Sequence, residues 1–199
     1  GGVGGVAESW KRAGLERWAG VVITILAGVP GARVRDALGP ATRIVRAMPN
    51  LPAAIGEGAT ALCASAGMAS GDDAFAEKLF AGIGPVVLRT SEELIDAFTA
   101  AAGSGPAYVF ALAEAMEAAA QRQGFDAESA RALVNQTIKG AALMLAESGE
   151  SAATLRARVT SKGGTTEAAL ATMQERGFSE AIALGMNAAA ARAKQLARG

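Results

Sequence analysis

Thr160-Ser161-Lys162-Gly163-Gly164-Thr165-Thr166-Glu167 is the segment whose residue types point most directly to chemistry. A glycine pair lets a ligand approach the backbone, and the N–H groups of a helix start just behind it suit a carboxylate or phosphate. Ser161, Thr165 and Thr166 add hydroxyls that donate or accept without becoming charged. The same residues also read as an ordinary capped loop in which Ser161 satisfies backbone donors. Ala102-Gly103-Ser104-Gly105-Pro106 is a second such helix start, read as tight helix packing or as one wall of a cleft. Met48-Pro49-Asn50-Leu51-Pro52 lies just past a strand end, where open α/β sheets take ligands. Its two prolines rigidify a turn, and Asn50 either belongs to that turn or holds backbone near a ligand.

Other groups are set aside. The 199-residue chain has no histidine, which excludes Ser-His-Asp and Cys-His nucleophilic machinery and removes the commonest metal ligand, so no metal site is expected. Its one cysteine, Cys63, lies in an apolar strand and reads as an inert core thiol, with no disulfide available. Glu114 and Glu117, three apart on a helix, read as a solvated face. The opening Gly2-Val3-Gly4 mimics a dinucleotide fingerprint by spacing, but no strand precedes it. Nineteen basic and nineteen acidic residues cancel without a dense Lys/Arg patch, which makes nucleic acid and anionic membranes poor partners. No apolar run reaches transmembrane length, and the expectation is a soluble, cytoplasmic protein. What remains suits a reaction driven by a cofactor's own hydride, where protein supplies positioning and electrostatics.

The elements that must position these groups fall into two parts. Residues 1–90 alternate helix and strand: a helix over 6–18, a continuous apolar strand over 21–26 buried on both faces, and a helix over 32–38. Strands over 43–48 and 59–63, a helix over 72–82 capped by Asp72 or Asp73, and a strand over 85–89 complete an open α/β sheet. Residues 91–199 carry only helices. These start at Ser91, Ser104 and Asp126, around Leu155, at Thr165 and, with Ser179 as cap, over the last twenty residues, where Arg192, Lys194 and Arg198 complement the helix dipole. Ala130, Leu133, Val134, Thr137, Ile138, Ala141, Ala142 and Leu145 form a wide apolar stripe that predicts burial against another subunit. The chain is thus α/β followed by all-α.

Four segments together resemble one family. Arg46-Ala47-Met48-Pro49-Asn50-Leu51-Pro52, Gly56-Glu57-Gly58-Ala59-Thr60, Ser104-Gly105-Pro106-Ala107-Tyr108 and Ser161-Lys162-Gly163-Gly164-Thr165-Thr166 occur in the order and spacing of pyrroline-5-carboxylate reductases, from about Val21 to the C-terminus. The resemblance implies the C-terminal part of a Rossmann-like NADP-binding domain over 1–90, then a helical dimerisation and substrate-binding domain over 91–199. It implies reduction of 1-pyrroline-5-carboxylate to L-proline, the last step of proline biosynthesis, with NADPH or alternatively NADH. A homodimer, in some members built into a decamer, comes with it. By the same resemblance Ser161 and the backbone of Gly163, Gly164 and Thr165 hold the substrate carboxylate, and catalytic Thr166 hydrogen-bonds the ring nitrogen. Ile25, Leu26, Ala27, Asn50 and Glu92 match positions at the cofactor.

Departures accompany the match. Lys162 stands where the family usually has Pro, Leu51 where Thr is common, and Arg158 where Asn is frequent. The first strand and Gly-rich phosphate turn of the family are missing ahead of Gly1, so the chain reads as cut from a longer enzyme. A molecule that truly begins at Gly1 is expected to bind little NADPH and to be an inactive fragment. Two other readings compete. A related imine or 3-hydroxyacid reductase would place a catalytic lysine in the helical part, where Lys139 is the candidate. A helical dimerisation module that has lost its cofactor domain would show decay of Gly163–Thr166, which is intact.

Overall fold

The computed structural model describes residues 3–16, 18–65 and 68–198, the side chain of Arg198 excepted. Gly2 of the fingerprint-like opening and the Arg198 charge therefore lie outside the described residues. The chain divides into two compact units, Gly1–Pro106 with Gly185–Gly199, and Ala107–Leu184.

In the first unit α1 spans Val3–Arg12, β1 Val21–Thr24, α2 Gly31–Leu38, β2 Arg43–Pro49 and β3 Ala59–Ala64. α3 (Asp72–Ala81), β4 (Val86–Arg89) and α4 (Glu92–Phe98) follow. The four strands lie in the order β1-β2-β3-β4. β1 pairs parallel with β2 (Thr24 opposite Arg46) and β3 parallel with β4, but β2 and β3 are antiparallel, with Arg46 opposite Cys63. The reason is the connection. Residues 50–58 hold only a short 3₁₀ turn (Leu51–Ile55), too few for the crossover a parallel pair needs.

Strand alternation puts Val45, Ala47 and Leu62 on one face, against Ala76 and Phe80 of α3. On the other face Ile44 packs with Val34 and Leu38 of α2, while Ala61 and Cys63 pack with Ile95 of α4. Residue 91 begins the helix that carries Ile95, so by packing this helix belongs with the sheet, and the compact unit continues to Pro106.

Several sequence expectations need correction. β1 stops at Thr24 and is an edge strand, half-buried rather than buried on both faces; Ile25 and Leu26 are loop. α1 ends at Arg12 because Gly14, at φ +69°, donates to Lys11 O while Leu15 donates to Trp10 O, a Schellman stop. The cap residue of α3 is Gly71; Asp72 and Asp73 lie in its first turn, where Asp72 pairs with Arg43 at 2.7 Å.

The second unit takes in α5 (Gly105–Arg122), α6 (Ala127–Glu147), α7 (Ala152–Arg158), α8 (Thr165–Glu175) and the start of α9 (Phe178–Arg198). Asp126 caps α6 as expected, accepting the Ser129 N–H at 2.8 Å. Ser179, expected to cap the last helix, lies inside it and donates to Gln174 Oε1 at 3.2 Å. Along α6 only Ala130 and Val134 are buried; Leu133 and Leu145 of the apolar stripe are half exposed.

Candidate functional site

The sheet unit offers one group of candidates. Ile25–Ala27 and Asn50 follow the carboxyl ends of the parallel neighbours β1 and β2. Ile25 and Ala27 are exposed and Leu26 is half-buried, its N–H donating weakly to Thr24 Oγ1 at 3.4 Å. Asn50 has structural work of its own. Its Oδ1 accepts the Ala59 N–H at 2.9 Å and its Nδ2 donates to Ala102 O at 3.1 Å, which fixes the turn between β2 and β3.

Glu92 opens α4, and Arg46 Nη1 donates to its Oε1 at 2.5 Å. Arg46 is 3% exposed and Glu92 37%, so the pair reaches from the buried sheet to the rim. Arg46 Nη2 is buried and has no partner among the described residues. The other oxygen of Glu92 lies 3.8 Å from where a Cβ on Gly31 would stand, at the positive start of α2. Burial first, then the nearby Glu92 charge, push the Cys63 thiol up from 9.0 to about 11, which keeps it protonated and inert. A cleft beside this group is lined by Pro30, Arg35, Cys63, Ser65, Ser91 and Glu92.

The helical unit carries the second group, at the start of α8. Gly164 N donates to Ser161 O at 3.0 Å, closing a turn whose third residue, Gly163, is at φ +74°, a conformation that favours glycine. A Cβ on Gly164 would stand 2.4 Å from Ser161 Oγ, so any larger residue there would push that hydroxyl out of its present position. Gly164 is the cap residue and brings no side chain, and the first helical bond runs from Ala168 N to Gly164 O. The N–H groups of Thr165 and Thr166 therefore have no partner among the described residues, and point out of the helix start with its partial positive charge. The Gly163 N–H, by contrast, is taken by Glu167 Oε2 at 2.7 Å. Thr166 is half-buried; Ser161, Lys162 and Thr165 are exposed.

The turn over 161–164 and the helix start at Thr165 lie where the sequence reading put them, but Gly163 and Gly164 hold their N–H groups in internal bonds. Sequence reasoning also missed Arg46 and Glu167. A lone cation in the apolar run of β2 was the signal for the first; a carboxylate three residues into a helix, the capping-box spacing, was the signal for the second. Lys139 is exposed on α6 and faces no such constellation, and Arg158 pairs with Glu150 at 2.5 Å.

An α/β unit of Rossmann-like character is thus followed by a helical unit with an anion-suited helix start. Residues 92–196 match the profile described as pyrroline-5-carboxylate reductase dimerisation. The chain is 45% identical over 177 residues to a pyrroline-5-carboxylate reductase of Vibrio alginolyticus, which covers 88% of this chain and 65% of that protein. Among solved structures, a pyrroline-5-carboxylate reductase from Coxiella burnetii superposes with a TM-score of 0.88 at 38% identity, over 98% of this chain and 72% of that one. The Plasmodium falciparum pyrroline carboxylate reductase with NADP bound gives 0.82 at 29% identity, over 89% and 67%. This chain belongs to the pyrroline-5-carboxylate reductase family. It spans a little under two-thirds of the Vibrio relative's length.

Proposed function

We propose that the protein reduces 1-pyrroline-5-carboxylate to L-proline with a nicotinamide dinucleotide, NADPH ahead of NADH. The observation that carries the reading is the start of α8, where Thr165 and Thr166 N–H groups stand free beside the Ser161 and Thr166 hydroxyls within a family-matched region. Those N–H groups and Ser161 hold the substrate carboxylate, with Gly163 and Gly164 letting it reach the backbone. The half-buried Thr166 hydroxyl bonds the ring nitrogen.

The dinucleotide supplies the hydride when bound. The exposed apolar side chains of Ile25 and Leu51 suit the flat face of a nicotinamide, exposed Ala27 leaves backbone within reach, and the Asn50 bonds hold that turn in place. Glu92, anchored by Arg46, stands at the rim of the same unit. No strand with a Gly-rich phosphate turn is found among the described residues, so the fit is to the nicotinamide end. A protonated imine is already electrophilic, so the protein needs no strong base. Its contribution is orientation, which lowers a barrier by roughly 7–11 kcal/mol when reacting atoms are well placed.

The family match over 92–196 supports the rest of the reading. Residues 1–90 serve the cofactor and 91–199 the substrate and dimerisation; the homodimer is the working unit, in the cytoplasm. No helix among the described residues is long and apolar enough to cross a membrane. Thr166→Ala in the full-length protein is expected to lower kcat/KM by roughly ten- to a hundredfold, the range of one hydrogen bond to a charged centre, while sedimentation still gives the dimer. Unchanged kcat/KM would remove Thr166 from its role.

A further inference from the structure

One of the backbone donors expected to hold the substrate carboxylate is occupied by a carboxylate of the protein itself. Glu167 Oε2 accepts the Gly163 N–H at 2.7 Å, from a position three residues into α8. The turn that presents this N–H is fixed, with Gly163 at φ +74° and Gly164 N bonded to Ser161 O at 3.0 Å. We propose that Glu167 sets ligand affinity at this site by competing, as an internal carboxylate, with the carboxylate of substrate and product. The proposal rests on the reading of this loop given above.

Two routes lead to the same sign. If the ligand displaces Glu167, the charge-assisted bond to Gly163 must be given up. If Glu167 stays, two carboxylates share neighbouring N–H groups of one turn and repel. Glu167 is exposed, so its displaced carboxylate moves into water and the penalty stays moderate. L-proline and 1-pyrroline-5-carboxylate carry the same carboxylate, so the effect also loosens the product and speeds its release. A purely structural cap would act in the opposite direction: removing its charge would loosen the turn and weaken binding.

Glu167→Gln separates these, because the amide keeps the shape and an acceptor oxygen while losing the charge. L-proline is titrated into the full-length protein carrying oxidised dinucleotide, followed by calorimetry and by the amide resonances of residues 163–166. Glu167→Gln is expected to bind L-proline about fivefold more tightly, the scale of one like-charge contact near a protein surface, and to bind L-prolinamide, which has no carboxylate, as the parent does. Unchanged or weaker L-proline binding in the variant overturns the proposal. If L-proline moves none of the resonances of residues 163–166 even in the parent protein, the assignment of the loop itself fails and the proposal falls with it.

Discussion

Cys63 shows how a residue's surroundings decide what it can do. Its thiol is buried, and burial together with the Glu92 charge raises its proton affinity, so the folded state holds that proton up to about pH 11 while the unfolded chain releases it near 9.0. The folded form binds the proton more tightly, so this group's contribution to stability is complete below pH 9.0 and is lost as pH rises towards about 11. Denaturant midpoints are therefore expected to fall over that window, and Cys63→Ala should flatten the decline; an equally steep fall in the variant would exclude Cys63 as its source. The inert thiol was legible from an apolar strand alone. The Arg46–Glu92 bond was not, because the two residues are 46 positions apart and only the packing of α4 on β3 brings them together. Nor could spacing show that Asn50 spends both ends of its amide on Ala59 and Ala102.

At the scale of elements, the Arg46–Glu92 pair ties α4 to the sheet, and its two halves are not equivalent. Arg46 is almost wholly out of water, whereas Glu92 at the rim can turn towards solvent. Glu92→Ala leaves a buried guanidinium with no counter-charge and is expected to cost about 3 kcal/mol, the cost of breaking a buried pair from one side. Arg46→Met leaves only a carboxylate that can hydrate, so it should cost clearly less. Urea unfolding of the two variants checks the order, and equal losses would contradict the buried-cation account. Most helices and strands were visible in the sequence because apolar periodicity and cap residues are local signals, as at Asp126 and Gly164. Strand direction is set by the chain that must be spanned, and the antiparallel β2–β3 pairing, which apolar patterning leaves open, turns on the nine residues between Pro49 and Ala59. The overlong reading of α1 has a similar origin, since apolar residues up to Trp18 continued the pattern past a Gly14 stop that depends on a positive φ.

On the scale of the whole molecule, the helical unit lacks a closed core of its own. Among its described residues only Ala130 and Val134 are buried, while Leu133, Leu143, Leu145 and Ile182 remain 43–51% exposed. An apolar surface of that kind suits a partner, and residues 92–196 match the family model described as pyrroline-5-carboxylate reductase dimerisation, which supports the proposed dimer. A charge placed on it, as in Leu133→Glu with Leu145→Glu, is expected to convert the dimer to monomer in sedimentation velocity runs and to reduce turnover with it. A dimer that survives both charges would move the interface elsewhere. The stripe on α6 was readable at helical spacing; what lies against it is a property of the assembly, which one chain's sequence does not encode locally.

The central claim is that uncharged donors at the start of α8 grip the carboxylate of a small ring acid. A crystal structure of the full-length protein with L-proline tests it most directly. The account predicts the carboxylate on the Thr165 and Thr166 N–H groups and the ring nitrogen at Thr166 Oγ1; L-proline bound at another place, with this turn left empty, would contradict it.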